Sequence, residues 1–217
     1  MLAVTLRALK SKITTIKEQF FLFNTLNIIA ASANLEEAKD TEEMIRALGN
    51  IFRYNLKTDE IQVSLARELS IVEDYMYIQK MRFGSRIDYE IKSYVDNENV
   101  YIPSFSLQPI VENAIVHGIS KKEEGGRVII RVWQRGDVLN IIVADTGVGM
   151  SKDRILQLRN FMKGRPKVKA GIGFGNIYKR IKNMYQSGDL RIYSREGKMT
   201  VLHFLIPQKY YQKYKDD

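Results

Sequence analysis

The sequence predicts an α+β protein. A helical region over residues 1–84 is followed by a two-layer α/β sandwich over 85–208 and a polar tail over 209–217. Three observations carry that expectation. Apolar residues at Leu2, Leu6, Leu9, Ile13, Ile16, Phe20 and Phe23 recur in alternating steps of four and three, a heptad seam. From Arg86 the period shortens to two, with Ile87, Tyr89 and Ile91 alternating with polar positions as in a half-buried strand. Beyond it, short apolar runs alternate with glycine turns and helical stretches, the pattern of a sheet with helices on one face.

Taken in order, the seam over residues 2–23 keeps Lys10, Lys12, Lys17 and Glu18 off its apolar edge. Such a helix buries its seam against a second copy, a parallel dimer being the economical solution, or against its own domain. Asn34–Ala38 breaks the pattern as a turn. A second helix then runs to about Leu56, with Met44, Leu48, Ile51 and Phe52 on one face. Thr58–Val63 connects to a third helix from about Ser64 to Arg82, which buries Leu65, Leu69, Val72 and Met76 and closes at Gly84. After the strand at Ile87–Ile91 comes a helix around Asn113. Arg127–Gln134 and Val138–Ala144 pair as strands around Arg135-Gly136-Asp137. Ser151 caps a helix to Met162, Lys163–Ala170 is a loop, and Phe174–Tyr185 is the last helix. Strands Leu190–Arg195 and Thr200–Ile206 turn at Glu196-Gly197-Lys198, giving the order β-α-β-β-α-α-β-β in an antiparallel or mixed sheet.

Composition narrows the function. The chain has 217 residues and no cysteine, which excludes disulfides, zinc fingers and thiol catalysis and fits a reducing compartment. Two histidines are too few for a histidine-rich metal site. No apolar run reaches the roughly 18–20 residues of a membrane span. The net charge of +9 is spread along the chain without a nucleic-acid-binding motif. It suits nucleotide phosphates, an acidic partner domain or an anionic membrane face instead.

The chemistry concentrates in three separated stretches: Ser106–Ser120 (SLQPIVENAIVHGIS), Asp145–Met150 (DTGVGM) and Gly171–Ile177 (GIGFGNI). Asn113 offers a hard amide oxygen suited to Mg²⁺, which takes a few protein oxygens plus substrate phosphates. Glu112 lies beside it, and His117 follows one turn later on the same face as Asn113. Asp145 ends an apolar strand, where its carboxylate can accept from the exocyclic amine of adenine and reject a guanine carbonyl. Gly147 and Gly149 allow close backbone approach to a ring or phosphate. Gly171, Gly173 and Gly175 do the same ahead of a helix whose first amides can face phosphate oxygens. The basic loop Lys163–Lys169 (KGRPKVK) is either a lid over the phosphates or a solvated loop.

This ordered set resembles the ATP-binding domain shared by histidine kinases, gyrase and MutL, the GHKL or Bergerat fold. Phe21–Asn27 (FLFNTLN), Gln79–Gly84 (QKMRFG) and Ser106–Gly118 are similar to motifs of sensor histidine kinases of the LytS/YesM type. The resemblance covers nearly the whole chain. It implies a dimeric ATP- and Mg²⁺-dependent kinase core, with the helices of residues 1–84 for dimerisation and phosphotransfer and residues 85–208 for catalysis. It also implies phosphorylation of a histidine, transfer to a response regulator receiver domain, and a cytoplasmic location behind a membrane anchor upstream. Glu112 and Asn113 take the catalytic roles, and Asn113, His117, Asp145 and the glycines bind nucleotide. The hydrolases of the wider group place a catalytic Glu one turn before the Asn; here Pro109 stands there, against an ATP-hydrolysing machine. One position departs from the pattern: the acceptor histidine that directly precedes FLFN is replaced by Phe20, which has no nitrogen to phosphorylate. The alternative is therefore a non-catalytic ATP-binding regulatory module.

Overall fold

Short-range physics sets the first elements of this computed structural model, which describes residues 21–57, 60–165, 172–185 and 187–208. The chain divides into two compact units, Met1–Lys57 and Thr58–Asp217. In the first, helix α1 (described over 21–35) and α2 (Lys39–Lys57) form a hairpin. Its turn is closed by Glu37 at φ 57° and by the Ala38 amide donating to Ala33 at 2.8 Å. Asn34 and Arg46 both donate to Glu42, and these bonds hold its carboxyl below the usual carboxylate range. Ala30, Ala33, Ala47, Ile51 and Tyr54 are buried, small residues alternating with large ones. Most of the heptad seam lies outside the described residues. Its continuation, Phe23 and Ala30, lines a groove between α1 and α2 with Ile45 and Gly49.

The second unit is built on a mixed five-stranded sheet in the order β2-β4-β5-β7-β6. The strands are β2 (Ile87–Ser93), β4 (Gly126–Arg135), β5 (Val138–Asp145), β6 (Asp189–Arg195) and β7 (Met199–Pro207). Only β2 and β4 are parallel, so the chain must cross over between them, and that crossover carries the Asn113 helix. Two strands too short to show a period, β1 (Gln62–Ser64) and β3 (Tyr101–Pro103), form a separate ribbon. One sheet face buries Val128, Ile130, Val132, Leu139, Ile141, Val143, Leu202 and Phe204. On the other, Ile129, Trp133, Ile142 and His203 stay partly exposed.

Helix α3 (Leu65–Phe83) starts where the Ser64 hydroxyl accepts from the Arg67 amide at 3.3 Å. By period it belongs with the N-terminal helices, and the sequence-based division falls after it at residue 84. In the structure its Leu65, Leu69, Val72 and Met76 join the sheet's own core, and the compact units part earlier, at Lys57. The rest of the helical layer is α4 (Gln108–Asn113), α5 (Lys152–Met162) and α6 (Ile172–Met184). Among the described residues no helix is long and apolar enough to cross a membrane.

Ile141 is fully buried in the central strand. Ile141→Ala is expected to cost about 2–5 kcal/mol. A urea titration should show a lower midpoint with an unchanged m-value.

Candidate nucleotide-binding site

Helix α4 is only six residues long because the helical winding loosens into a π turn at Ala114–Gly118 and then tightens to 3₁₀ at Ile119–Lys121. Such insertions re-aim the side chains that follow them. Asn113, at the end of the regular turn, donates from Nδ2 to the Pro109 carbonyl at 2.7 Å. Among the described residues no group donates to its amide oxygen, and Asn113 lines a cavity of about 740 Å³. His117 and Lys121 line the same cavity one and two turns on.

The opposite wall is the end of β5. Asp145 is buried, and burial raises its carboxyl to about 6 even though the Gly147 amide bond opposes the shift. That amide donates to Oδ1 at 2.9 Å, and no other described group donates to the carboxylate. Gly118 brings the helix against this wall. A Cβ there would sit 2.8 Å from Asp145 Oδ1, and a Cβ on Gly147 would overlap the Gly118 backbone. The loop is fixed from the other side too. Gly149, at φ 65°, lies where a Cβ would strike the Arg195 carbonyl, Gly197 donates to Val148 at 2.7 Å, and Met150 donates to Ser194 at 2.9 Å. The apolar lining comes from Ile110, Val143, Leu158, Phe174 and Leu202, with Thr200 opposite Asp145 in register.

Of the residues singled out by sequence, the structure brings Asn113, His117, Asp145 and Gly149 to one cavity, with Gly147 directly behind Asp145. Gly173 and Gly175 lie inside the first turn of α6 instead of a loop before it, and Phe174 between them reaches the cavity. Glu112 is not among the lining residues. It accepts from Gln108 Nε2 at 3.0 Å and lies beside Tyr75 of α3, whose hydroxyl is pushed up to about 12 by burial first and by the Glu112 charge second. Gly171, Phe20 and residues 166–170 of the basic loop lie outside the described residues. Sequence reasoning missed Gly118, Lys121, Arg154, Glu196 and Thr200. Lys121 was the most findable, one turn beyond His117; Thr200 becomes visible only through its strand register.

A helix bearing an amide oxygen, a buried carboxylate at a strand end and a mostly apolar cavity between them define a nucleotide-binding α/β sandwich. Two family models match the chain: the histidine kinase family over residues 4–87, and the histidine kinase-, DNA gyrase B-, and HSP90-like ATPase family over residues 104–210. The chain belongs to the sensor histidine kinases, of which it is a kinase core. It is 39% identical over 84% of its length to sensor histidine kinase YpdA of Escherichia coli, and 31% identical over 88% to sensor protein kinase HptS of Staphylococcus aureus. The chain spans about a third of each, 31% and 37%. Among solved structures, the histidine kinase domain of a blue-light activated histidine kinase from Erythrobacter litoralis aligns with TM-score 0.55 at 13% identity, covering 93% of this chain and 99% of that one. The catalytic domain of histidine kinase ThkA aligns with TM-score 0.50 at 18% identity, covering 70% and 97%. These two matches show the fold.

The Asp145 carboxyl holds its proton more tightly folded, at about 6, than at the ordinary 3.8. Between those values the folded state binds more protons than the unfolded one, so stability falls as pH rises through about 4 to 6 and stays lower above. Asp145→Asn should remove that decline and raise the stability of the nucleotide-free chain near neutral pH by about 1–3 kcal/mol. Denaturant midpoints measured across pH for both chains check it.

Proposed function

We propose that this kinase core binds ATP with Mg²⁺ in the cavity between α4 and the end of β5. Asp145 carries the reading: a buried carboxylate with a single protein donor is costly unless a ligand donates to it, and the adenine amine does. Asn113 would supply an oxygen to the metal, whose charge would offset that of the phosphates. His117 and Lys121 flank the phosphates, and Gly171, Gly173 and Gly175 let the first amides of α6 approach them. The role of proton acceptor for Glu112 requires its side chain to leave Gln108 and turn towards the cavity.

In the transfer step an imidazole nitrogen attacks the γ-phosphorus. The N–P bond forms as the bond to the ADP oxygen breaks, and the imidazole passes its N–H proton to the Glu112 carboxylate or to solvent. Phe20 has no lone pair for that attack. The acceptor is then a histidine of another chain, and the phosphoryl group passes onward to an Asp of a response regulator receiver domain. Phe20 also favours a second reading, in which nucleotide occupancy alone biases the helices and no phosphoryl group moves. A cytoplasmic place for this segment, behind a membrane anchor upstream, rests on its likeness to sensor histidine kinases.

Association through the N-terminal helices is supported by an uncovered stripe on α1. Phe21, Ile28 and Leu35, spaced by seven, are 73%, 70% and 85% exposed. This stripe lies two residues before Phe23 and Ala30 and one before Leu22 and Ile29. Ile28→Glu should convert the dimer to a monomer in sedimentation velocity.

A calorimetric titration with a non-hydrolysable ATP analogue tests the site, and Asp145→Asn should weaken that affinity at least tenfold, about 1.4 kcal/mol. Labelled ATP and Mg²⁺ test the transfer. The unaltered chain should take up no acid-labile, alkali-stable label, and Phe20→His should acquire it. A Phe20→His chain that binds ATP but stays unlabelled favours the non-catalytic reading.

A further inference from the structure

Glu68 is a fully buried carboxylate in the first turn of α3, and nothing in the nucleotide chemistry uses it. Its two oxygens accept from three consecutive backbone amides: Phe105 at 2.5 Å, Ser106 at 3.0 Å and Leu107 at 2.8 Å. Three successive N–H groups converge on one anion only when the backbone curls into a nest, and Phe105 supplies the curl at φ 56°. A non-glycine residue held in that region marks a turn that its surroundings over-determine. Leu107 is the residue before α4, and α4 has no side-chain cap of its own. A carboxylate from another helix thus takes the amide of the residue that opens α4 and the two amides before it.

The same turn is gripped from the other side. Arg180 of α6 donates to the Ser104 carbonyl and lies over the Phe105 ring, 5.8 Å from its centre. Within α4, Gln108 donates to Glu112 at 3.0 Å, and the Glu112 charge raises the Tyr75 hydroxyl of α3 after burial does.

We infer that Glu68 is a positioning residue for the metal-binding half of the nucleotide site: its carboxylate fixes the start of α4, and with it the direction in which Asn113 presents its oxygen. The inference rests on the ATP and Mg²⁺ reading above. Asp145 sits on the sheet and does not depend on this clamp, so the two halves of the site respond differently when it is weakened.

The experiment compares binding of a non-hydrolysable ATP analogue with and without Mg²⁺ for the intact chain, Glu68→Gln, Glu68→Asp and Arg180→Met. In Glu68→Gln one acceptor oxygen becomes an NH₂ group facing backbone donors. The expected result is metal-free affinity within about twofold of the unaltered chain, while the gain in affinity on adding Mg²⁺ shrinks about tenfold, as when outer partners of metal ligands are removed. Glu68→Asp, which keeps the charge, should restore part of that gain. A Mg²⁺-dependent gain that is unchanged, or an equal loss with and without metal, overturns the inference. If Glu68→Gln fails to fold, Arg180→Met decides by the same quantity. Failure of the unaltered chain to bind the analogue at all would instead defeat the nucleotide reading itself.

Discussion

The site depends on one close approach, the backbone of Gly118 against the backbone of Gly147. Any side chain at Gly147 would overlap the helix, and any side chain at Gly118 would press on Asp145. With both absent, the end of a helix and the end of a strand come close enough for the Val148 amide to donate to the Gly118 carbonyl at 3.3 Å. The cavity opens directly beside this contact. A carboxylate from the sheet and an amide oxygen from the helix thereby face one volume, though the chain places them thirty-two positions apart.

That approach holds because each partner is fixed independently. The loop after β5 is tied to the β6–β7 turn through Gly149, Gly197 and Ser194. Thr146 anchors it to β4, accepting from the Arg127 amide on Oγ1 at 2.9 Å. The helix is held at its start by the Glu68 carboxylate and along its length by apolar packing of Ile110, Val111 and Ile115. A site made of parts from separate segments tolerates little play in any of them, since an oxygen displaced by an ångström no longer ligates. Buried charge is the cost of this precision: Glu68 gives up hydration for bonds that include three consecutive backbone amides, and Asp145 accepts, among the described residues, from the Gly147 amide. The Glu68 carboxylate is satisfied within the protein, and the Asp145 carboxylate stands at the cavity.

Much of the fold was legible because it follows from periodicity. The strands β2, β4, β5, β6 and β7, the cap at Ser151, and the turn around Gly136 fall where apolar alternation and turn residues put them. The three-residue strands β1 and β3 could not be read, since so short a run has no period. Nor could the attachment of α3 to the sandwich, because a helix's apolar stripe does not name the surface that covers it. Within the site, Asn113, His117 and Asp145 were legible as chemistry-bearing residues in a known order. Glu112 shared their stretch but faces Gln108 and Tyr75, because the residue beside Asn113 on a helix is turned about 100° from it. Glu68 gave no signal at all: an acidic residue in the first turn of a helix is ordinary, and only the fold shows that its carboxylate is enclosed.

Phe20 separates two questions that a motif treats as one. The cavity is assembled wholly within the second unit, from α4, β5, α5, α6 and β7, so its construction owes nothing to residue 20. On the proposed reading the acceptor position is Phe20, in the first unit. A phenyl ring at an acceptor position would remove a nucleophile and leave in place the core, the turns and the bonds that shape the cavity. The two proposals are therefore separable: nucleotide binding is a claim about the second unit, and phosphoryl acceptance is a claim about the first.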